Sequence, residues 1–411
     1  YGTIKSSENY ERRFIMTFPN ETLPKGRKQK TTALYDRFIN QGAVMGDSFG
    51  LENVLWFANN KEDAYEEPTI KRSRSHNYVS KEVINVRENV GIIEVANFSK
   101  HEFKGPDARK FLDFIMAGRL PKPGRISLSP MLSYRGKLCG DLTVTCLDEN
   151  EFIVFGSGAA QEMHRRWFES HLGKFNVNYN NRSDEFHGLS IAGPNSRKVL
   201  EKIVREDISN EKFKFRDSRR MFVGGVPAIV NRISFTGELG YEIYVAPHYQ
   251  IKLYEELIQA GKEFDIKPFG GRALMSMRLE KNWGAWTLDY RPDFTAKETG
   301  LDTFINWNKE FIGKENAKKD NSTNKIVPLI VETNEIDVTN NEAVVNGKDS
   351  IGYVTSGGFA HYVNKSVAFT FLDQNKINYD NKIQIEINGD LFNCSLIKDS
   401  LYDPTGQKMR S

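Results

Sequence analysis

Gly105-Pro-Asp-Ala-Arg-Lys-Phe-Leu-Asp-Phe-Ile115 recurs in altered form as Gly193-Pro-Asn-Ser-Arg-Lys-Val-Leu-Glu-Lys-Ile203. The two stretches share glycine, proline, arginine, lysine, leucine and isoleucine at equivalent positions. Each follows a strand-like segment and predicts a helix with proline in its first turn, where a missing N–H costs no internal hydrogen bond. The repeat therefore indicates two related α+β halves. Chance likeness between two Gly-Pro helix starts is the alternative.

The overall composition is typical of a globular enzyme. The 411 residues are too many for one simple core, so two to four packed units are expected. Lys and Arg number 57 against 54 Asp and Glu. This near balance argues against binding of nucleic acid, which requires a concentrated basic face. The sequence contains no run of about 18 apolar residues, so we expect no membrane span.

Cysteine usage and the first residues bear on the compartment. The cysteines Cys139, Cys146 and Cys394 are too few and too scattered for a disulfide framework or a four-cysteine zinc site. The chain opens at Tyr1 with neither an initiator methionine nor a signal-peptide pattern. We therefore expect a piece of a longer protein that is not secreted. The expected location is the cytoplasm of a bacterium or the mitochondrial matrix of a eukaryote.

The first 320 residues divide into a leading segment and a body. Residues 1–80 predict a strap with one amphipathic helix at Thr32–Asn40, since Leu34 and Phe38 lie four residues apart. Residues 81–320 contain the two halves, about 81–180 and 181–320. Helices are predicted in the second half near Gln250–Phe264 and Gly271–Asn282.

The tail, residues 321–411, predicts strands. It follows a polar linker at Lys318–Lys325. Apolar runs in it are typical of strands, and two Asn-Gly pairs between such runs are typical of type I′ hairpins. The runs are Ile326–Val331, Ile351–Thr355, Ser366–Leu372 and Ile383–Ile387, and the pairs are Asn346-Gly347 and Asn388-Gly389. The tail is therefore interpreted as a small β-barrel or sandwich.

Common catalytic motifs are absent from the sequence, which has no Walker loop, HExxH or GxSxG. Phe155-Gly-Ser-Gly-Ala159 follows an apolar strand, as in a dinucleotide-binding fold. It lacks the third glycine and the acidic residue about 20 positions further on. We interpret it as an ordinary strand-to-helix turn.

Two strands carry acids among alternating residues. In Gly140–Cys146, Asp141 shares a face with Thr143 and Thr145. In Gly240–Ala246, Glu242 shares a face with Tyr244. Periodicity alone favours solvent-facing positions for both acids, because the outer face of an antiparallel sheet is commonly polar.

The residues around these acids resemble a known family. Ile233-Ser-Phe-Thr-Gly-Glu-Leu-Gly-Tyr-Glu-Ile-Tyr244 resembles the tetrahydrofolate-binding signature of the glycine-cleavage T-protein (aminomethyltransferase) superfamily. Gly136-Lys-Leu-Cys-Gly-Asp-Leu-Thr-Val144 resembles its catalytic-aspartate segment. Outside these signatures the chain is similar to the C-terminal folate-binding half of dimethylglycine and sarcosine dehydrogenases, in order and over nearly its whole length. The supporting segments are Tyr1-Gly2, Leu34-Tyr35, Trp56-Phe57, Phe213–Phe215 and Arg278–Lys281.

The resemblance implies a duplicated folate-binding α+β body of T-protein type followed by a small C-terminal β-barrel. By position, it makes Asp141 the catalytic residue and gives the Asp141–Thr143 strand and Glu242 contacts with folate. A carboxylate such as Glu242 can accept the two adjacent N–H donors of a pterin edge together. The resemblance implies further folate contacts, and the full set is Asp141, Leu142, Thr143, Phe235, Glu242, Ile243, Tyr244 and Arg272. We expect both acids to face one cavity from neighbouring strands.

Three of these positions need comment. Arg272 lies where the T-protein pattern has an arginine near the substrate, and an ordinary helix-surface residue is the alternative. Phe235 and Thr303 stand where the dehydrogenases show tyrosines. Phe98, Trp283 or Trp286 are the candidates to supply the missing aromatic wall.

The resemblance also implies an activity and partners. A flavin (FAD) domain or subunit outside this chain would oxidise an N-methylated glycine, dimethylglycine or sarcosine, to an iminium or formaldehyde. This chain would capture the carbon on tetrahydrofolate as 5,10-methylenetetrahydrofolate. The alternatives are an aminomethyltransferase that uses a lipoylated carrier and a non-catalytic folate-binding or structural subunit. No metal is expected.

Overall fold

The computed structural model describes residues 2–378 and 380–411. Tyr1, where the resemblance predicts the junction with a flavin-binding half, lies outside them. The leading segment contains α1 (Gly2–Glu11), α2 (Tyr35–Asn40), β1 (Ala43–Ser48) and β2 (Leu51–Phe57). The helix expected at Thr32–Asn40 is confirmed but begins at Tyr35, with Leu34 as its N-cap. Leu34 and Phe38 are buried in one core cluster, as their spacing predicts.

The first half of the body forms a five-stranded antiparallel sheet. It follows α3 (Ser75–Glu88) and β3 (Gly91–Glu94). Its elements are β4 (Phe98–Lys104), α4 (Ala108–Ile115), β5 (Arg125–Leu132), β6 (Leu138–Asp148), β7 (Glu151–Ser157), α5 (Gln161–Leu172) and β8 (Asn178–Asn181). The strand order is β5-β6-β7-β4-β8. β7 leads through a single 3-10 turn into α5, which confirms an ordinary strand-to-helix turn at Phe155–Ala159.

The second half repeats this arrangement. Its elements are β9 (His187–Ala192), α6 (Ser196–Glu201), β10 (Ser218–Val223), β11 (Val226–Asn231), β12 (Gly240–Val245), α7 (Gln250–Gly261) and β13 (Lys267–Pro268). They form a six-stranded sheet with β3, in the order β10-β11-β12-β9-β3-β13. Helices α8 (Gly271–Glu280), α9 (Ala296–Thr299) and α10 (Lys314–Lys318) follow. Both predicted helices are therefore confirmed, and α8 ends two residues before its expected end.

The repeat in the sequence is a repeat in the structure. In each half a strand leads through Gly-Pro into a helix. This strand pairs antiparallel with the third strand that follows the helix: β4 pairs with β7, and β9 pairs with β12. Gly105 and Gly193 have φ angles of 133° and 131°, in a region that favours glycine. A Cβ at either residue would lie within 2.7 Å of a backbone oxygen. Pro106 and Pro194 immediately precede the N-caps Asp107 and Asn195. They were expected within the first helical turn and lie two residues before the first helical residue.

The tail is a closed barrel. Its strands are β14 (Asn324–Val331), β15 (Ala343–Asn346), β16 (Asp349–Ala360), β17 (Lys365–Asp373), β18 (Ile383–Ile387) and β19 (Asp390–Leu396), and α11 (Gln407–Arg410) follows. The order is β14-β17-β16-β15-β18-β19, with β19 pairing back to β14. The barrel or sandwich expectation is thus resolved as a barrel, and the four predicted strands are present. The domain boundaries 80/81, 180/181 and 320/321 stay predictions.

One of the two Asn-Gly hairpins differs from its prediction. Asn388 and Gly389 have φ angles of 52° and 93°, as a type I′ turn requires. Asn346, in contrast, is the last residue of β15, and its side-chain amide donates to the carbonyl oxygens of Asn381 and Lys382. The two-residue loop is therefore Gly347-Lys348, with Gly347 at a φ of 71°. Tertiary hydrogen bonds shift the turn by one residue.

The two sheets of the body pack face to face. Ile153 and Phe155 of the first sheet share a buried cluster with Ile229 and Tyr244 of the second. The opposite faces pack against α4 and α5 in one half and against α6 and α7 in the other. Within residues 2–378 and 380–411, none of the helices combines the length and apolar character needed to cross a bilayer.

A buried ion pair of the body is hydrogen-bonded to the barrel. Arg278 of α8 donates to Asp289 at 2.8 Å and to the Ser356 hydroxyl of β16 at 2.9 Å. Asp289 also accepts from the Ala285 N–H and from the hydroxyls of Thr355 and Ser356. Arg278 is 1% exposed and Asp289 0%. Because every acceptor position of the carboxylate is used, the pair depends on both partners.

We expect Arg278→Met to lower the free energy of unfolding by about 3–5 kcal/mol, because it leaves the Asp289 charge buried without its cation. Urea unfolding measures this. The matched control is Lys71→Met. It removes an exposed ion pair between Lys71 of the leading segment and Glu335 of the barrel. Exposed pairs contribute little, so the control should unfold as the unsubstituted chain does. Equal effects of the two substitutions would contradict the structural role of the buried pair.

Candidate functional site

Asp141 follows a β-bulge in β6. The register between β5 and β6 shifts at this point and leaves Cys139 as the extra residue of the bulge. Its carbonyl oxygen therefore takes a partner outside the ladder, and Nε2 of His164 on α5 donates to it at 2.9 Å. A Cβ at Gly140 would lie 2.9 Å from this nitrogen, so the absence of a side chain there admits the imidazole. Bulges redirect side chains next to active sites.

The Asp141 carboxyl lies in a poorly hydrated environment. It is partly exposed, and burial raises its pKa to about 7. Tyr290 lies nearby: its pKa is raised mainly by its own burial and further by the negative charge of Asp141. A carboxyl that titrates near neutral pH suits a general base.

The face of β6 that carries Asp141 meets the second sheet. Asn231 of β11 lies with its amide nitrogen 3.5 Å from the Thr145 hydroxyl. Thr143 pairs with Phe155, whose ring lies 4.6 Å from that of Tyr244. The acid-bearing strands β6 and β12 therefore belong to different sheets that face one another. The expectation that they are neighbouring strands is wrong, because β6 lies in the five-stranded sheet and β12 in the six-stranded sheet.

Glu242 is held at this interface by Tyr244. It is 8% exposed, and the Tyr244 hydroxyl donates to its Oε2 at 2.8 Å. Burial raises the pKa of Glu242 to about 7, while the Tyr244 hydrogen bond and the charge of Lys100 lower it. The solvent-facing position that periodicity favours is therefore wrong for Glu242, since the other sheet covers that face.

Two predicted contact residues turn away from this interface. Leu142 is fully buried in the core beneath α4 and α5, and Ile243 is fully buried beneath α6 and α7. Strand alternation sends their side chains to the reverse faces. A folate contact by Leu142 or Ile243 stays a prediction that concerns backbone atoms only.

Phe235 stacks on Trp283, with ring centroids 5.8 Å apart and planes at 28°. Of the three proposed replacements for the lost aromatic wall, Trp283 is therefore the one that contacts Phe235. Trp286 packs in a different cluster, and Phe98 packs near Tyr244. Thr303 is exposed and donates its hydroxyl to the carbonyl oxygen of Gly300 at 3.0 Å.

Arg272 is engaged within the chain. Its guanidinium donates to Glu66 at 2.7 Å and to the Ser75 hydroxyl at 2.6 Å. Glu66 also accepts from the indole of Trp56 at 2.7 Å. Arg272 therefore fastens the leading segment to α8, and its predicted contact with folate stays a prediction.

A cavity of about 290 Å³ lies between the 282–302 segment and β14. Tyr290, Lys297 and Lys325 line it, and neither Asp141 nor Glu242 does. The cavity is therefore distinct from the predicted pterin site. Tyr290, which lines the cavity, also lies near Asp141.

Sequence reasoning missed His164 and Lys100. His164 lies four residues before Phe168 on the buried face of α5, a spacing that by itself indicates an ordinary core residue. Lys100 is a single lysine within a strand, and its complete burial depends on the facing sheet. Only the repeat, which predicts two packed halves, could have suggested that Lys100 is covered.

Gly188 makes room for the ring of Tyr244. A Cβ there would lie 2.7 Å from the ring and 2.6 Å from Val95. We expect Gly188→Ala to lower the free energy of unfolding by about 1–3 kcal/mol through overpacking, measured by urea denaturation. The control is Gly271→Ala, where the nearest atom would be 3.5 Å away. If both variants matched the original chain, the close packing around Tyr244 would be refuted.

The raised pKa of Asp141 predicts a stability difference. The folded pKa of about 7 exceeds the usual 3.8, so the folded state loses stability as pH rises from about 4 to about 7. We expect Asp141→Asn to be more stable than the original chain at pH 8 and equally stable near pH 4, in urea unfolding at both. Asp148→Asn, on the exposed end of the same strand, should show no such gain. A gain that was the same at both pH values would contradict the burial of the charge.

The comparisons with known proteins agree with this architecture. Residues 34–309 match the family model of the GCVT N-terminal domain, and residues 324–403 match the glycine cleavage T-protein C-terminal barrel domain. The chain belongs to the glycine cleavage T-protein family. The aminomethyltransferase T of the glycine cleavage system from Bartonella henselae has the same fold, with a TM-score of 0.78 at 21% identity over 92% of this chain and 99% of that one.

The related sequences are of two kinds. Mouse dimethylglycine dehydrogenase is 32% identical over 98% of this chain and 47% of its own length. The aminomethyltransferase of Thermoanaerobacter pseudethanolicus is 28% identical over 79% of this chain and 89% of its own. This chain thus spans about half the length of the dehydrogenase it matches. The predicted superfamily and fold class are confirmed.

Proposed function

We propose that this chain captures on tetrahydrofolate the one-carbon unit released by oxidative demethylation of dimethylglycine or sarcosine. The product is 5,10-methylenetetrahydrofolate. The observation that carries the proposal is the packing of the two sheets, which buries Glu242 and Tyr244 on one side and turns Asp141 and Thr143 toward the same interface on the other. Similarity to dimethylglycine dehydrogenase over 98% of this chain supports the choice of substrate.

The residues present fit a pterin. Glu242 accepts one hydrogen bond from Tyr244 and, when ionised, keeps lone pairs for two adjacent N–H donors. The stacked rings of Phe235 and Trp283 offer an aromatic surface near the start of β12. The predicted contact set also includes Thr143 and the backbone atoms of Leu142 and Ile243. Arg272 stays in this set because of the resemblance alone.

Asp141 is the proposed catalytic residue. Tetrahydrofolate, when bound, supplies the nucleophilic nitrogens that take up the carbon. An ionised Asp141 would stabilise positive charge beside it and accept a proton at its Oδ atoms. The bulge at Cys139, held by His164, would set the direction of this carboxylate. Holding the reactants together supplies several kcal/mol by removing the entropy cost of encounter.

The remainder of the proposal concerns partners. FAD would belong to a separate domain or subunit that makes the iminium or formaldehyde. The compartment would be the bacterial cytoplasm or the mitochondrial matrix, because the dehydrogenase relatives are described as mitochondrial. Arg72 of the leading segment pairs with Asp337 of the loop after β14, so this segment is fastened to the barrel.

A second candidate is an aminomethyltransferase that takes its carbon from a lipoylated carrier protein. The aminomethyltransferase relative, covered over 89% of its length, favours it. Turnover with an aminomethylated lipoyl carrier would decide for it.

A non-catalytic folate-binding or structural subunit is favoured by Phe235 and Thr303. If tetrahydrofolate failed to bind at high micromolar concentration, this result would decide for a structural subunit.

We expect Asp141→Asn to bind tetrahydrofolate but to form methylenetetrahydrofolate from formaldehyde at least about a hundredfold more slowly, because a positioned base contributes that much. Anaerobic calorimetry measures binding, and chromatography of the product above the uncatalysed background measures capture. Asp148→Asn is the matched control and should behave as the original chain. Normal capture by Asp141→Asn would remove this residue from the mechanism.

A further inference from the structure

Lys100 is a buried cation in β4 without an assigned role. Its side chain is fully buried, and its ammonium donates to the carbonyl oxygens of Ala96 at 2.9 Å and Phe98 at 2.7 Å. Both acceptors are neutral, whereas a fully buried lysine is usually paired with a carboxylate. Two of its three N–H donors are accounted for by these bonds.

The position of Lys100 relates it to Glu242. Its ammonium lies 5.9 Å from the ring centroid of Tyr244, and the hydroxyl of that ring donates to Glu242 at 2.8 Å. Lys100 projects from the first sheet and Glu242 from the second, and the ring of Tyr244 lies near both groups at the interface. Burial opposes the charge on both groups, and each supports the ionisation of the other.

We propose that Lys100 is a positioning residue of the folate site, whose ammonium keeps the Glu242 carboxylate ionised and therefore able to receive the pterin edge. The inference rests on the proposed function, since it concerns the same ligand. Its physical basis is the donor pattern of the pterin. A protonated Glu242 would carry an O–H donor toward two N–H donors, and the hydrogen bonds would be lost.

Other charged groups near Lys100 do not replace it. Lys30 and Asp184 form an exposed ion pair of opposite charges, whose effects on Lys100 oppose one another. Glu94 is partly buried and accepts a hydrogen bond from Gln250, and the charge of Lys100 also lowers its pKa. Two groups act on the Glu242 carboxylate: Tyr244 donates a hydrogen bond to it, and Lys100 supplies the positive charge near it.

The test is the pH dependence of tetrahydrofolate binding by the whole chain, measured by anaerobic calorimetry between pH 5.5 and 9. In the original chain affinity should fall on acidification as Glu242 is protonated. Lys100→Met removes the cation, so the midpoint should move upward by about one pH unit, and the Kd at pH 7 should rise up to tenfold. A merely structural role of Lys100 would lower affinity equally at every pH.

Three controls complete the design. Lys30→Met removes an exposed lysine near the same strand and should leave the midpoint unchanged. Lys100→Arg keeps the charge and should keep the midpoint. Glu242→Gln, made in the Asp141→Asn background so that Asp141 does not titrate, should bind weakly and without a titration step, because both titrating carboxyls are gone. If Lys100→Met does not fold, Lys100→Gln, which can still donate to the two carbonyls, takes its place.

The failures are distinguishable. If the original chain binds no tetrahydrofolate at high micromolar concentration, the proposed function fails and the role of Lys100 fails with it. If it binds and the neutral variant at position 100 keeps the original midpoint, only the role of Lys100 is overturned. A titration step that persists when Glu242→Gln is made in the Asp141→Asn background would also overturn it.

Discussion

The face-to-face packing of the two sheets is the constraint on which the rest of the body depends. Each sheet has one face covered by its own helices, and the other face must be buried against the second sheet. This interface carries polar groups from both halves, including Lys100, Thr145, Asn231 and Glu242. Buried polar groups require partners: Lys100 donates to backbone carbonyls, Glu242 accepts from Tyr244 of its own strand, and Asn231 contacts Thr145 across the interface. The interface is therefore a polar seam within an apolar body.

One loop of the body connects the barrel to the site. Asp289 binds Arg278 of the body and two hydroxyls of β16, and it also accepts the N–H of Ala285. The neighbouring Tyr290 lies close to Asp141. A change in how the barrel docks would thus move the wall beside the Asp141 carboxyl.

Much of the fold was accessible from the sequence because it is encoded locally. The Gly-Pro repeat at 105 and 193 corresponds to two strand-to-helix turns with the same unusual glycine conformation. The strands of the tail follow from apolar alternation between turns. The site was less accessible. The resemblance selects Asp141 and Glu242, but periodicity alone favours exposure of both. The alternation of residues in one strand contains no information about a second sheet that packs on it.

The sequence by itself determined the duplication, the barrel and the family, since these depend on residue order and on patterns within a few residues. Tertiary structure decided which side chains share an environment. It alone shows Lys100 over Tyr244, His164 beneath the bulge before Asp141, and Arg272 bound to Glu66. The reason is that burial and pKa depend on atoms distant in the chain, whose approach no local pattern records.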